Sequence, residues 1–176
     1  MIRVTIGNLI TLAKDGHFDV ISHGCNCFCT MGAGIAPQMA KAFECDNYKM
    51  ESPDYRGDIN KLGTIDYELR NVVIEKNINI KSEKVKAPDF GGHPLYVINS
   101  YTQYHYGINH SDGVSNPVDY DAITMCMRKI NHTFAGKTIG LPKIGAGLAG
   151  GDWNKILKII DTELNKMDVW IVIYNK

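Results

Sequence analysis

Two short glycine loops constrain this chain more than any other feature, because each stands between a strand-like apolar run and a helical pattern. The first lies in "ISHGCNCFCTMGAGIAPQMAKAF": Gly32 and Gly34 follow the run Val20–Ser22 and precede a helix expected from Ile35 to Phe43, with Pro37 in its first turn. The second lies in "TIGLPKIGAGLAGGDWNKILKII": Gly145, Gly147 and Gly150 follow the run Thr138–Leu141, and apolar residues then recur at three- and four-residue spacing from Trp153 to Met167. A strand, a glycine loop and a helix, met twice, point to an α/β sheet. In such sheets ligands collect at the carboxyl ends of the strands, where helix N-termini present free N–H groups and partial positive charge. A side chain in these loops would hold the amides away from an anion, so glycine is the residue that suits them. Together the two loops can grip the two halves of one diphosphate.

The spacing G-x-G-x-x-G at Gly145, Gly147 and Gly150 also marks dinucleotide-binding turns, but that motif opens a βαβ unit and needs further strands after it. Only one helix and one strand remain beyond Gly150. The chain therefore departs from the dinucleotide pattern.

Further strands are expected at Ile2–Ile6, Leu62–Leu69, Val72–Ile78, Leu95–Tyr101 and Val169–Tyr174, and a third helix from Val118 to Ile130. Within "LGTIDYELRNVVIEKNI" no helix separates two of these runs, and Arg70-Asn71 reads as the turn of a hairpin, so the sheet is expected to be mixed. Two segments rich in Asp, Asn, Ser and Gly, from Glu44 to Asn60 and from Tyr106 to Pro117, read as loops. A length of 176 residues with 44% hydrophobic and 22% charged content suits one domain spanning 1–176.

Nineteen basic and nineteen acidic residues cancel, so no overall basic field draws nucleic acid or an anionic membrane, and a ligand site must be local. No run approaches the roughly 18 to 20 apolar residues of a membrane span, and "MIRVTIGNLI" lacks the apolar core of a signal peptide. The expectation is a cytoplasmic protein without a membrane partner. Cys25, Cys27 and Cys29 in "CNCFC" invite a zinc reading, but the C-x-C-x-C spacing lacks C-x-x-C geometry and no second ligand cluster follows. Reduced thiols are the better reading, with no metal and no cofactor.

The motifs "VTIGNLI", "ISHGCNCFCTMGAGIA", "KLGTIDYE" and "GLPKIGAGLAGGDW" occur in the order found in macro domains, and the chain resembles that family from its first strand to its last. The resemblance implies a three-layer α/β/α fold with a mixed central sheet, binding an ADP-ribose derivative. It is nearest to the branch holding ADP-ribose 1″-phosphate phosphatases and the glycohydrolases that remove terminal ADP-ribose from proteins. Carried over by position, Asn8 and Leu9 join the substrate-binding residues, Asn8 standing where the family has an aspartate for the adenine amine; its amide oxygen can still accept that bond. Thr30, Met31, Gly32, Ala33, Gly34 and Ile35 match the first phosphate loop, and Ile144, Gly145, Ala146, Gly147 and Leu148 the second.

For the reaction, the resemblance places His23 and Asn26 near the terminal ribose and matches Asp152 to a catalytic aspartate. The glycohydrolases use a lysine for a covalent sugar adduct; here Ser100, in "YVINSYTQ", stands nearest that position. Without an amine that route is closed, which favours hydrolysis of the terminal phosphate by water. His23 is expected to titrate near neutrality, Asp152 can orient it or the water, and Asn26 can hold the ribose hydroxyls. Each has a structural alternative. Asp152 can cap the helix that follows, and Asn26 can serve a turn. His105 and His110 can reach a distal phosphate, Tyr101, Tyr104 and Tyr106 can wall the pocket, and Lys143 can attract phosphate. The expected activity is ADP-ribose 1″-phosphate phosphatase; the alternatives are removal of ADP-ribose from a protein or nucleic-acid partner, and binding without chemistry.

Overall fold

A computed structural model of the chain describes residues 1–46, 56–72, 92–106 and 117–175. Six strands form one sheet in the order β1-β6-β5-β2-β4-β3, from β1 (Ile2–Ile6), β2 (Val20–Asn26), β3 (Ile65–Val72), β4 (His93–Gln103), β5 (Thr138–Leu141) and β6 (Asp168–Ile173). All pairs are parallel except β3 with β4. The mixed sheet expected from the sequence is therefore present, with its antiparallel strand at one edge.

Among the described residues, four helices cover the two faces: α1 (Leu9–Lys14), α2 (Ala36–Phe43), α3 (Tyr120–Thr133) and α4 (Trp153–Glu163). On one face Ile123, Met127 and Ile130 of α3 and Ile156 and Ile160 of α4 pack on Val20, Ile98, Ile139 and Ile171. On the other, Leu9 and Ala13 of α1 and Met39 and Phe43 of α2 pack on Ile21, Leu95, Val97 and Val172. Adjacent residues of one strand, such as Val20 and Ile21, enter opposite cores, as the period of two requires. Each fully buried aliphatic side chain contributes about 1.5–3 kcal/mol. This is the three-layer α/β/α arrangement.

Several boundaries differ from the sequence reading. Arg70 and Asn71 are not a hairpin turn but strand residues opposite Leu95 and Pro94. An edge strand tolerates polar residues, and the Arg70 guanidinium is held by the carbonyls of Phe43 and Glu44. The proposed partner run therefore loses Val72 to β3 and otherwise falls at 73–78, outside the described residues. Leu62 precedes β3, after a short 3-10 turn at Ile59–Lys61. β2 continues past Ser22 because its polar residues find partners on β4: Ser22 Oγ lies 2.8 Å from Ser100 Oγ, and His23 Nε2 lies 2.8 Å from Asn99 Oδ1. α1 was not read from the sequence. Its six residues are too few to show a period, yet Asn8 caps it by accepting from Ile10 N and Thr11 N.

Candidate functional site

A cavity of about 890 Å³ opens at the carboxyl ends of β2, β4 and β5, within the size range of small-molecule sites. Both glycine loops line it. Of the residues expected to bind substrate, Thr30, Met31, Gly32, Ala33, Gly34 and Ile35 are on one wall, and Ile144, Gly145, Gly147 and Leu148 on another. Ala146 does not line the cavity and packs toward the α3–α4 core instead.

The loops present backbone donors. Among the described residues, no hydrogen bond within the protein uses the N–H of Gly32, Ala33 or Gly34, nor that of Gly147 or Leu148. By contrast, Ala146 N donates to Lys143 O, Gly150 N to Gly147 O and Gly151 N to Gly145 O, bonds that shape the second loop. The glycines differ in why they are there. Gly145 has φ +73°, and an added Cβ would lie 3.0 Å from Ile123 Cδ1 and 3.2 Å from Ile156 Cδ1, so the fold itself requires it. Gly147 has no positive φ, and an added Cβ would meet nothing within 4 Å. Neither backbone nor packing explains that glycine.

Asn26 lines the cavity, the one member of the expected catalytic trio that does. A register shift between Cys25 and Asn26 re-aims it at the end of β2. Its Nδ2 donates to Thr30 O at 3.0 Å and its Oδ1 accepts from Thr30 N at 3.3 Å, so its amide holds the first loop in place.

His23 lies further from the strand end on β2, fully buried, with Nε2 on Asn99 Oδ1. Burial lowers its pKa to about 4, against the raising effect of the Asn99 bond. It is a neutral core histidine and not a cavity residue. Asp152 also stands outside the cavity: exposed, it caps α4 by accepting from Asn154 N at 2.9 Å and Lys155 N at 3.5 Å. Asn8 and Leu9 do not line the cavity either. Asn8 Oδ1 is occupied by the α1 cap, and Leu9 is buried beneath that helix.

Of the remaining candidates, Tyr101, Tyr106 and Lys143 line the cavity. The Tyr101 hydroxyl donates to Asp66 Oδ2 at 2.5 Å, and burial together with the Asp66 charge pushes its pKa up, so it stays neutral. Tyr104 instead donates to Gly57 O. His105 stacks on Tyr106 with ring centroids 4.8 Å apart and donates from Nδ1 to Tyr106 O, away from the cavity. His110 lies outside the described residues. Cys25 and Cys29 line the cavity, and burial raises the Cys25 thiol, which keeps it protonated. Among the described residues, no three His, Cys, Asp or Glu converge as metal ligands would.

Sequence reasoning missed Asp46, Thr102 and Gln103, all of which line the cavity. Thr102 and Gln103 follow Tyr101 on β4, and the continued strand alternation was the available signal. Asp46 follows α2 with no motif around it.

No family model matches the chain. An uncharacterized 17.5 kDa protein of Enterobacteria phage T4, from the tk–vs intergenic region, is 34% identical over 98% of this chain and 96% of its own length. A crystal structure from Bacteroides thetaiotaomicron is similar over 99% of this chain and 100% of its own, with TM-score 0.69 and 23% identity. The macrodomain of Thermus aquaticus DarG matches over 100% and 99% with TM-score 0.58 and 20% identity. A Trypanosoma brucei macrodomain solved with ADP-ribose matches 99% of this chain and 64% of its own, with TM-score 0.56 and 15% identity. The chain thus belongs to one family with the phage T4 protein, and its fold is that of the macro domains.

Proposed function

We propose that the cavity binds ADP-ribose, with the diphosphate between the two glycine loops, and that the chain hydrolyses ADP-ribose 1″-phosphate to ADP-ribose and inorganic phosphate. The observation that carries the binding half is Gly147, a cavity glycine that the fold does not need, flanked by amides without protein acceptors. Such amides suit phosphate oxygens, since a charged acceptor strengthens each bond. The Trypanosoma brucei macrodomain bound to ADP-ribose shares this fold and lends the reading its ligand.

For the chemical half, water attacks the terminal phosphorus, the bond from phosphorus to the 1″ oxygen breaks, and the water's proton goes to that oxygen. Loop amides supply positive potential for the transferred phosphoryl group, and Lys143, a lining residue whose ammonium lies 6.0 Å from the Trp153 ring centroid, adds a positive charge nearby. The lysine-adduct route has no support at Ser100, which is fully buried against Ser22. One observation favours a second reading, an ADP-ribose-binding module without turnover: His23 and Asp152 both stand outside the cavity.

The test is incubation of the chain with ADP-ribose 1″-phosphate and, in parallel, with ADP-ribosylated protein and nucleic acid, following phosphate and free ADP-ribose. Phosphate release supports the phosphatase. Release of ADP-ribose from a macromolecule points to the alternative hydrolase, and binding with neither product points to the module.

A further inference from the structure

The strand order gives the cavity a direction. The second glycine loop follows β5 and the first follows the neighbouring β2, so a diphosphate held between them has one flank toward β6 and β1 and the other across the end of β4. On the β4 flank the wall carries a carboxylate, Asp46. Its Oδ1 is buried and has no hydrogen-bond partner among the described residues. Such an oxygen is unfavourable until a donor meets it.

The position of Asp46 is fixed from behind. The carbonyl of the preceding residue, Cys45, accepts from Asn99 Nδ2 at 2.7 Å, and the same amide donates to Asp66 Oδ1 at 2.8 Å. With both N–H groups of Asn99 directed there, its Oδ1 faces His23, which therefore carries its proton on Nε2 and donates. His23 and Asn99 are both buried, so this chain of bonds ties the backbone beside Asp46 to the centre of the sheet.

A carboxylate repels phosphate oxygens and attracts hydroxyl groups, so it discriminates between the parts of a nucleotide ligand. We infer that Asp46 determines specificity at this site: its carboxylate accepts hydrogen bonds from the hydroxyls of the sugar beyond the diphosphate, and so selects ADP-ribose over ADP. The inference rests on the glycine loops holding the diphosphate, as proposed above.

Titration calorimetry of the full chain with ADP-ribose and with ADP tests it, using Asp46→Ala and the isosteric Asp46→Asn. Asp46→Ala should weaken ADP-ribose about 10- to 100-fold, the range of a lost hydrogen bond to a charged group. ADP should bind the variant no more weakly than the wild type, because a repulsive charge has gone. Asp46→Asn, which keeps one acceptor oxygen, should fall between. Fitted stoichiometry near one per chain shows that each variant is folded. An equal loss for both ligands overturns the inference, since the residue then serves the fold or the phosphates, and unchanged affinity for both overturns it too. If the wild type binds neither ligand, the ADP-ribose reading itself fails.

Discussion

Gly147→Val separates the ligand from the fold. At this residue φ is not positive and an added Cβ meets nothing within 4 Å, so neither strain nor a clash opposes the substitution. Folding stability should change by less than about 1 kcal/mol, with the reduced freedom of the unfolded chain offsetting part of any loss. The valine would nevertheless add bulk at a residue that lines the cavity, beside the amides of Gly147 and Leu148. If both amides lose their phosphate oxygens, two charge-assisted bonds of about 1.5–3 kcal/mol each disappear, which corresponds to about 10²- to 10⁴-fold in Kd. Gly145→Ala supplies the contrast. Its φ of +73° costs a side-chain-bearing residue about 1–2 kcal/mol. Crowding at 3.0 Å from Ile123 and 3.2 Å from Ile156 adds about 1–3 kcal/mol. A loss of about 2–5 kcal/mol should lower Tm by about 5–20 °C. Thermal unfolding by circular dichroism and calorimetric titration with ADP-ribose measure both quantities. A folded Gly147→Val protein with wild-type ADP-ribose affinity would refute the cradle, and one that melts as early as Gly145→Ala would show that this glycine serves the backbone.

Three further outcomes are expected. Because burial depresses the His23 pKa from 6.5 to about 4, the unfolded chain binds the extra proton between those values; stability is fully present above pH 6.5 and falls by about 3 kcal/mol as pH drops toward 4. His23→Gln, whose amide can still donate to Asn99, should flatten that part of the pH–stability curve, and an unchanged slope would mean that another group titrates there. Asp152→Asn keeps the α4 cap and should leave both melting and turnover of ADP-ribose 1″-phosphate near wild type, whereas Asp152→Ala should lose about 1 kcal/mol; poor turnover in a stable Asp152→Asn protein would restore this carboxylate to the chemistry. Asn26→Ala removes both bonds that hold Thr30 and should weaken ADP-ribose binding through a loosened first loop, about 1–3 kcal/mol in all; unaltered affinity by calorimetry would show that the loop is held by other means.

What the sequence determined by itself is what depends on neighbours along the chain. A strand, a glycine loop and a helix within about twenty residues are a local pattern, so both loops and the α/β class could be read before any contact was known, whereas the antiparallel strand of the mixed sheet pairs with β4 and not through the hairpin expected at Arg70-Asn71. The turn-forming Asn26 and the capping Asp152 were likewise visible as local chemistry, though their structural alternatives describe what their side chains do. Other features needed the third dimension. His23 lies three residues before Asn26 on β2; the sequence does not show how far along the strand the cavity reaches, and it reaches Gly24, Cys25 and Asn26 while His23 stays buried below them. Arg70-Asn71 looks like a turn in isolation and is a strand because β4 pairs with it and the end of α2 holds the guanidinium. Asp46 carries no local signal, and it reaches the cavity wall because the chain leaving α2 is tied at Cys45 to Asn99, 54 residues further on. A bond across that separation forms only after the sheet has assembled, so that residue's place was decided by the tertiary structure.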